Sequence, residues 1–151
     1  FLKTDEWNII EEGFHADKLR ASESIFSLGN GRFGQRGNFE ETYSSDSLQG
    51  SYVAGISFLD RTRVGWWKNG YPHFFSRIPN APDWSGIYLR LIDEEVDLSQ
   101  WDIKQFERKL DMKEGISYRD FEVTSPKGNT LKIKTKNKIC KTQMSNKQFN
   151  I

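Results

Sequence analysis

The segment with the strongest functional character is residues 64–71, which read VGWWKNGY. Two adjacent tryptophans in a glycine-flanked loop are unusual unless they are buried or serve a surface. In a sugar-binding platform one tryptophan would stack on the apolar face of a sugar, and the polar side chains would bond its hydroxyls. In the alternative, which we favour, the loop packs against another domain. The candidate binding or docking residues are Trp66, Trp67, Lys68, Asn69 and Tyr71.

Three Glu-Glu pairs are the next candidates for chemistry: Glu11-Glu12, Glu40-Glu41 and Glu94-Glu95. Cleavage of a glycosidic bond needs two carboxyl groups at a defined separation in space, which adjacency in sequence does not supply. We expect Glu94-Glu95 to lie in a solvated hairpin turn. For Glu40-Glu41, which follow a glycine-rich segment, we expect an internal salt bridge with Arg32 or Arg36.

The glycines at positions 29, 31 and 34 match the dinucleotide-binding pattern G-x-G-x-x-G. That pattern requires a preceding strand, a helix that starts within it and an acidic residue about 20 positions later. Here residues 35–38, QRGN, add another glycine and begin no helical apolar period. The sequence therefore argues against nucleotide binding.

The inventory of metal ligands and nucleophiles is small. The chain has His15, His73 and Cys140, without an H-x-x-x-H or C-x-x-C spacing, and it has no G-x-S-x-G nucleophile elbow. We expect His73, which lies among aromatic residues, to be packed or at a rim. No metal site and no cofactor is predicted.

The composition indicates a folded domain. Aromatic residues make up 14% of the 151 residues, and disordered chains are poor in aromatics. We expect most of them in the core. The net charge is +1, but all acidic residues lie in positions 1–122, and the seven charged residues of 123–151 are lysines. We interpret this lysine run as a solvated strand edge and a tail, with no nucleic-acid partner.

The single cysteine excludes an internal disulfide and favours a reducing compartment, so we expect a cytoplasmic location. No apolar run approaches the roughly 20 residues of a membrane helix, so no membrane association is expected. The first ten residues, FLKTDEWNII, lack the features of a signal peptide, although the start at Phe1 leaves a cleaved leader open.

Alternating apolar residues and turn signals predict many short strands at a spacing of about ten residues, which is typical of an all-β sandwich. Predicted strands cover residues 23–28, 49–58, 116–125 and 131–135, and a hairpin joins 87–92 to 96–98. Turns are predicted at 29–31 and 126–129, and a loop at 61–86. Phe33 and Phe39 would share a face if their segment is extended. Residues 103–112 fit either a helix or a strand with a bulge.

Several of these motifs together resemble glycoside hydrolase family 65. The run ESIFSLGNGRFGQRGNFEE at 23–41 is similar to the start of the family's N-terminal domain. GSYVAG at 50–55 and LDMKEG at 110–115, with Arg119 and Phe121 beyond, resemble two of its strands. The insert at 62–72 is similar to the maltose phosphorylase branch of the family. The resemblance extends over residues 5–135.

This resemblance implies an antiparallel super-β-sandwich that is joined in the family to an (α/α)6 barrel. We expect the chain to hold a truncated sandwich at 1–136, followed by a divergent basic tail at 137–151, with the catalytic barrel absent. The tail resembles nothing in the family and fits a frameshifted or early-terminated reading frame. The barrel and a second copy of the chain are the expected partners.

The resemblance also implies an activity for the parent enzyme, the inverting phosphorolysis of an α-linked glucose disaccharide. Maltose and inorganic phosphate, a co-substrate, would give β-glucose 1-phosphate and glucose. No catalytic residue can be assigned within this chain, which is expected to be inactive alone. The alternatives are a free-standing carbohydrate-binding module, a non-functional truncation product, or a parent that acts on trehalose, kojibiose or nigerose or that is a hydrolase.

Overall fold

The computed structural model describes residues 1–62, 72–139 and, for the backbone, 148–150. The strands are β1 (Leu2–Thr4), β2 (Asn8–Glu12), β3 (Leu28–Gly29), β4 (Phe33–Gln35), β5 (Ser51–Val53), β6 (Phe58–Arg61), β7 (Phe74–Arg77), β8 (Arg90–Leu91), β9 (Glu94–Glu95), β10 (Asp102–Asp111), β11 (Ile116–Thr124), β12 (Thr130–Lys138) and β13 (Gln148–Asn150). A 3-10 turn, Ala16–Lys18, leads into helix α1, Leu19–Ile25. The predicted all-β class is confirmed.

The main sheet has six antiparallel strands in the order β1-β2-β10-β11-β12-β13. Its long strands form because apolar and polar residues alternate, so that one face can be buried and the other solvated. Phe121 on β11 lies opposite Ile133 on β12, and Val123 lies opposite Leu131. All four side chains are buried, and they form the apolar floor of the core.

Smaller elements cover this floor. They comprise the sheet β3-β4-β5, the hairpins β6-β7 and β8-β9, helix α1, and two isolated bridges that join residues 41 and 42 to residues 87 and 97. Phe39 from the covering layer packs against Phe106 and Phe121 of the sheet, with ring centroids 6.1 and 6.3 Å apart. The core therefore lies between one large sheet and a layer of short segments.

The predicted turns at 29–31 and 126–129 are confirmed. A hairpin also follows residue 87, but its second strand is β9 and not 96–98, because Arg90 pairs with Glu95 and Leu91 with Glu94. Residues 103–112 were expected to form either a helix or a strand with a bulge, and the structure has the strand, β10. Its pairing with β11 is interrupted between Lys104 and Glu107, where Gln105 has a positive φ of 49°.

Three other predictions of local structure are wrong. Residues 23–25 belong to helix α1, because the spacing of Leu19, Ser22 and Glu23 places all three on its buried face. The strand at 49–58 is broken after Val53 by a turn in which Gly55 has a φ of 82°. The loop at 61–86 contains β7, which pairs with β6.

The segment after β4 also turns, so Phe33 and Phe39 do not share a face. Phe33 contacts Trp84, with ring centroids 5.9 Å apart, whereas Phe39 lies in the core. Strand β12 runs through Lys138, and β13 pairs with it. The proposed division at residue 136 stays a prediction.

The close approach of Gly37 to the end of helix α1 generates a first prediction. A Cβ at Gly37 would lie 2.8 Å from Cβ of Phe26 and 2.9 Å from its carbonyl oxygen. We expect Gly37→Ala to lower the free energy of unfolding by about 1–3 kcal/mol, because the backbone must separate. The matched control is Gly34→Ala, whose Cβ would meet nothing nearer than 4.0 Å. Urea denaturation of both variants checks this, and equal losses would contradict it.

Candidate functional site

The predicted binding or docking residues Trp66, Trp67, Lys68, Asn69 and Tyr71 lie outside the described residues. The structure does describe the two strands that flank their segment. Strands β6 and β7 pair from Phe58 opposite Arg77 to Arg61 opposite Phe74. The Thr62 hydroxyl donates to the carbonyl oxygen of Pro72 at 2.5 Å. The two ends of segment 63–71 are therefore held side by side.

The hairpin β6-β7 that carries this segment has an apolar, solvent-exposed surface. Leu59 is 76% exposed and Phe74 58% exposed. The exposed apolar residues of this hairpin surface are Phe58, Leu59, Phe74, Phe75 and Ile78. Several large apolar side chains exposed on one short hairpin are typical of a surface that packs against something else.

A row of buried charged and polar residues crosses the inner face of the main sheet. Glu11 on β2 lies opposite Arg108 on β10, Arg108 lies opposite Arg119 on β11, and Arg119 lies opposite Thr135 on β12. All four residues are buried. We call Glu11, Arg108, Arg119 and Thr135 the charge row. It lies on the same face as the apolar floor, toward the other end of the sheet.

Arg108 ties the row to the covering layer. Its Nε donates to Glu11 Oε2 at 2.9 Å, and its Nη1 donates to the carbonyl oxygen of Gly37 at 2.6 Å. The guanidinium carbon lies 4.9 Å from the ring centroid of Phe26. The Ser22 hydroxyl of helix α1 donates to the other oxygen of Glu11 at 2.6 Å. Strand β2, helix α1 and residue 37 thus meet at one buried ion pair.

Arg119 likewise joins the charge row to the covering layer, further along the sheet. Its Nη2 donates to Oε2 of both Glu40 and Glu41 at 2.5 Å, and its guanidinium lies over the ring of Phe39. Asn137 Nδ2 donates to the remaining oxygen of Glu40. The predicted internal salt bridge of Glu40-Glu41 exists, but its partner is neither Arg32 nor Arg36.

The prediction was wrong about the partner because the ion pair is not local. Arg36 lies 3.8 Å from Glu23 and donates to the carbonyl oxygens of Leu48 and Arg20. Arg119 comes almost 80 positions after Glu40, on a strand that only the tertiary fold brings close. Arg108 and Arg119 could have been found from their inward positions in the alternation that also buries Phe106 and Phe121.

The buried charges around the row are unequal in number. The carboxylates of Glu11, Glu23, Glu40 and Glu41 face three guanidinium groups. Burial raises the pKa of Glu41, a shift that Arg119 opposes and Glu40 reinforces. Burial also lowers the pKa of Arg108, against the attraction of Glu11. If Glu41 carried a proton, three carboxylates would face the three guanidinium groups, and the charges would balance.

This arrangement is structural rather than catalytic. Glu40 and Glu41 share one arginine nitrogen inside the core, so neither is free to protonate a substrate or activate a water. Glu94-Glu95 form strand β9 and not the predicted turn. Glu95 is exposed, as predicted, whereas Glu94 accepts hydrogen bonds from Asn129 and Ser125, both at 2.8 Å. The hydrogen bond from Asn129 has the larger effect, and together with the one from Ser125 it lowers the pKa of Glu94.

The remaining motifs have plain structural roles. The glycine motif at 29–34 joins the antiparallel strands β3 and β4, and the described residues that follow it form no helix, so the geometry is not that of a dinucleotide site. Within the described part of the chain, no cluster of His, Cys, Asp or Glu could hold a metal ion. No helix there is both long and apolar enough to cross a membrane.

Comparisons with known proteins agree with this architecture. Residues 9–144 match the family model of the glycosyl hydrolase family 65 N-terminal domain. The chain is 52% identical to maltose phosphorylase of Bacillus subtilis over 118 residues, which are 78% of this chain and 16% of that protein. It is 37% identical to α,α-trehalose phosphorylase of Thermoanaerobacter brockii over 139 residues, covering 87% of this chain and 17% of that protein.

A solved structure supports the same relationship. The chain superposes on a human-microbiome protein described as a kojibiose phosphorylase, with a TM-score of 0.81 and 33% identity. The match covers 97% of this chain and 19% of that one. This chain thus spans less than a fifth of the length of these relatives.

The charge row generates a prediction about pH. The folded-state pKa of Glu41 is raised above the ordinary value of 4.5, so the folded state holds this proton to higher pH than the unfolded state does. The stability that the proton contributes is present below pH 4.5 and is lost as pH rises through the folded pKa. We expect Glu41→Gln, which stays neutral, to gain stability relative to the wild type as pH rises from 4.5 to 8. Urea midpoints across this range measure it.

Asp97→Asn is the control for this experiment. Although partial burial opposes it, hydrogen bonds from Ser44 and Ser99 lower the pKa of Asp97 below 3.8. Asp97 is therefore ionised in both the folded and unfolded states over most of the tested range. We expect the stability difference between this variant and the wild type to change little with pH. If the stability difference between Glu41→Gln and the wild type also stayed constant with pH, the raised pKa of Glu41 would be contradicted.

Proposed function

Since the chain belongs to the glycosyl hydrolase family 65 N-terminal domain family, we propose that it serves as the N-terminal domain of an α-glucoside phosphorylase. The observation that carries this proposal is the 52% identity to a maltose phosphorylase over most of the chain. Maltose is therefore the proposed substrate, ahead of the trehalose and kojibiose of more distant relatives. The cytoplasm is the proposed location, which the single cysteine supports.

The proposed reaction is the conversion of maltose and inorganic phosphate into β-glucose 1-phosphate and glucose. A carboxylic acid protonates the leaving glycosidic oxygen, and phosphate attacks the anomeric carbon from the opposite face, so the configuration inverts without a protein base. Phosphate is a co-substrate, and no cofactor is invoked. The acid is not proposed among the described residues, because the Glu40-Glu41 pair is committed to Arg119.

The role proposed for this domain is to support the catalytic region and to pack against it or against a second subunit. The hairpin surface of β6-β7 is the proposed contact, because its apolar side chains are exposed although the core is formed without them. The segment with Trp66 and Trp67 begins and ends on this hairpin, so we propose that it belongs to the same contact. The relatives are long enough to supply the opposing surface.

A domain exchange tests this proposal. The aligned stretch of the Bacillus subtilis maltose phosphorylase is replaced by that of this chain, and the same is done in the Thermoanaerobacter brockii trehalose phosphorylase. We expect each chimera to fold and to keep the substrate of its host, because the domain supports the active region without selecting the sugar. Release of glucose 1-phosphate from each disaccharide is the measurement. A folded but inactive chimera, or a substrate preference that follows the domain, would contradict the proposal.

A matched pair of variants tests the contact within the active chimera. Leu59 and Ile92 have similar exposed fractions, 76% and 73%, but only Leu59 belongs to the hairpin surface. We expect Leu59→Asp to weaken assembly or activity of the chimera, and Ile92→Asp to leave both unchanged. Equal behaviour of the two variants would argue against the hairpin as the contact. If Trp66 and Trp67 instead form an independent sugar site, maltose should quench the tryptophan fluorescence of the isolated chain.

A further inference from the structure

A small cavity of about 30 Å³ lies between the charge row and the segment that covers it. On the sheet side it is lined by Arg108, Ser117, Arg119, Thr135 and Asn137, and Glu40 is among the residues that close it. Ser117 lies opposite Asn137, and Arg119 lies opposite Thr135, so the lining comes from two consecutive cross-strand pairs of β11 and β12. The cavity is thus part of the buried polar end of the sheet.

Three polar atoms of residues in this lining are buried without a hydrogen-bond partner among the described residues: Nη2 of Arg108, Nε of Arg119 and Oδ1 of Asn137. Arg108 Nη2 lies 2.9 Å from Glu11 Oε2 as an ion pair, which leaves the donor Nε of Arg119 and the acceptor Oδ1 of Asn137. The amide orientation of Asn137 is set by its other end, since Nδ2 donates to a Glu40 carboxylate that can only accept. A buried polar atom without a partner is destabilising, because it has lost its hydrogen bonds to water and gained none in return. One donor and one acceptor therefore need a ligand that can accept from the first and donate to the second.

The hydroxyl groups of Ser117 and Thr135 add hydrogen-bonding capacity to the cavity. Both residues are buried and line the cavity. A hydroxyl can donate or accept as its neighbour requires. A buried water needs roughly 10–15 Å³ and two to four polar partners. The cavity meets both conditions for one or two water molecules.

We propose that this cavity is a binding site for internal water, in which one molecule accepts from Arg119 Nε and donates to Asn137 Oδ1. Charge favours water over a small anion. The three guanidinium groups of the layer are already outnumbered by carboxylates, and Glu40 lies in the lining itself. Since the partners belong to β11 and β12, the water would join the two strands and fix their register beside the Glu40 contact.

Crystallography of the chain at about 1.5 Å, with a parallel crystal soaked in bromide, tests the site. We expect a density peak within hydrogen-bond distance of both Arg119 Nε and Asn137 Oδ1, and no anomalous bromide signal there. An anomalous peak would overturn the proposal in favour of an anion. Direct contact between the two side chains, without a peak between them, would overturn it as well.

A solution measurement keeps the test independent of crystals. In the wild type we expect an exchange cross-peak between the Arg119 Nε proton and a long-lived water. Thr135→Val replaces a cavity hydroxyl by a methyl group of similar shape, and loss of one hydrogen bond should shorten the residence time of the water about fivefold. Thr130→Val, at an exposed position of the same strand, is the control and should leave it unchanged. No cross-peak in a folded wild type, or equal residence times in both variants, would contradict the proposal.

Discussion

Two arginines on neighbouring strands point into the same buried layer, and this constraint shapes the domain. Arg108 and Arg119 lie directly opposite each other in the β10–β11 pair, where like charges repel. Each must therefore be neutralised by carboxylates from elsewhere, since an unpaired buried charge is strongly destabilising. Glu11 reaches Arg108 from β2, and Glu40 and Glu41 reach Arg119 from the covering layer. The charges thus join parts of the chain that are distant in sequence.

The other buried polar contacts follow from these two ion pairs. Helix α1 is held because Ser22 bonds Glu11 and Glu23 faces Arg36. The chain at Gly37 must come close to the sheet, because Arg108 uses its carbonyl oxygen as an acceptor. Buried ion pairs add less to stability than apolar packing does, but they penalise wrong arrangements heavily. For this domain we infer that the apolar floor supplies the stability and the charge row selects the arrangement of the covering segments.

Sequence patterns predicted the parts of the fold that depend on local periodicity. The alternation in β11 and β12 identified both strands and the turn between them, and the family motifs at 23–41, 50–55 and 110–115 identified the family. The partner of Glu40-Glu41 was not predictable, because Arg119 approaches only through tertiary structure. Residues 23–25 of helix α1 were mistaken for part of a strand, because the buried face of the helix includes Ser22 and Glu23, which carry no apolar period. The tryptophan segment stays a prediction, since it lies outside the described residues.

We infer that the buried ion pairs of the charge row hold the covering layer to the sheet. Arg119→Met removes the guanidinium that pairs with Glu40 and Glu41, and Lys134→Met on the neighbouring strand is the comparison. Lys134 pairs with Asp120 at 2.5 Å on the solvated face, where the two side chains are 52% and 39% exposed. In urea denaturation we expect Arg119→Met to lose about 3–5 kcal/mol, because buried carboxylates are left unpaired. We expect Lys134→Met to lose less than about 1 kcal/mol. Losses of similar, small size for both variants would contradict the account.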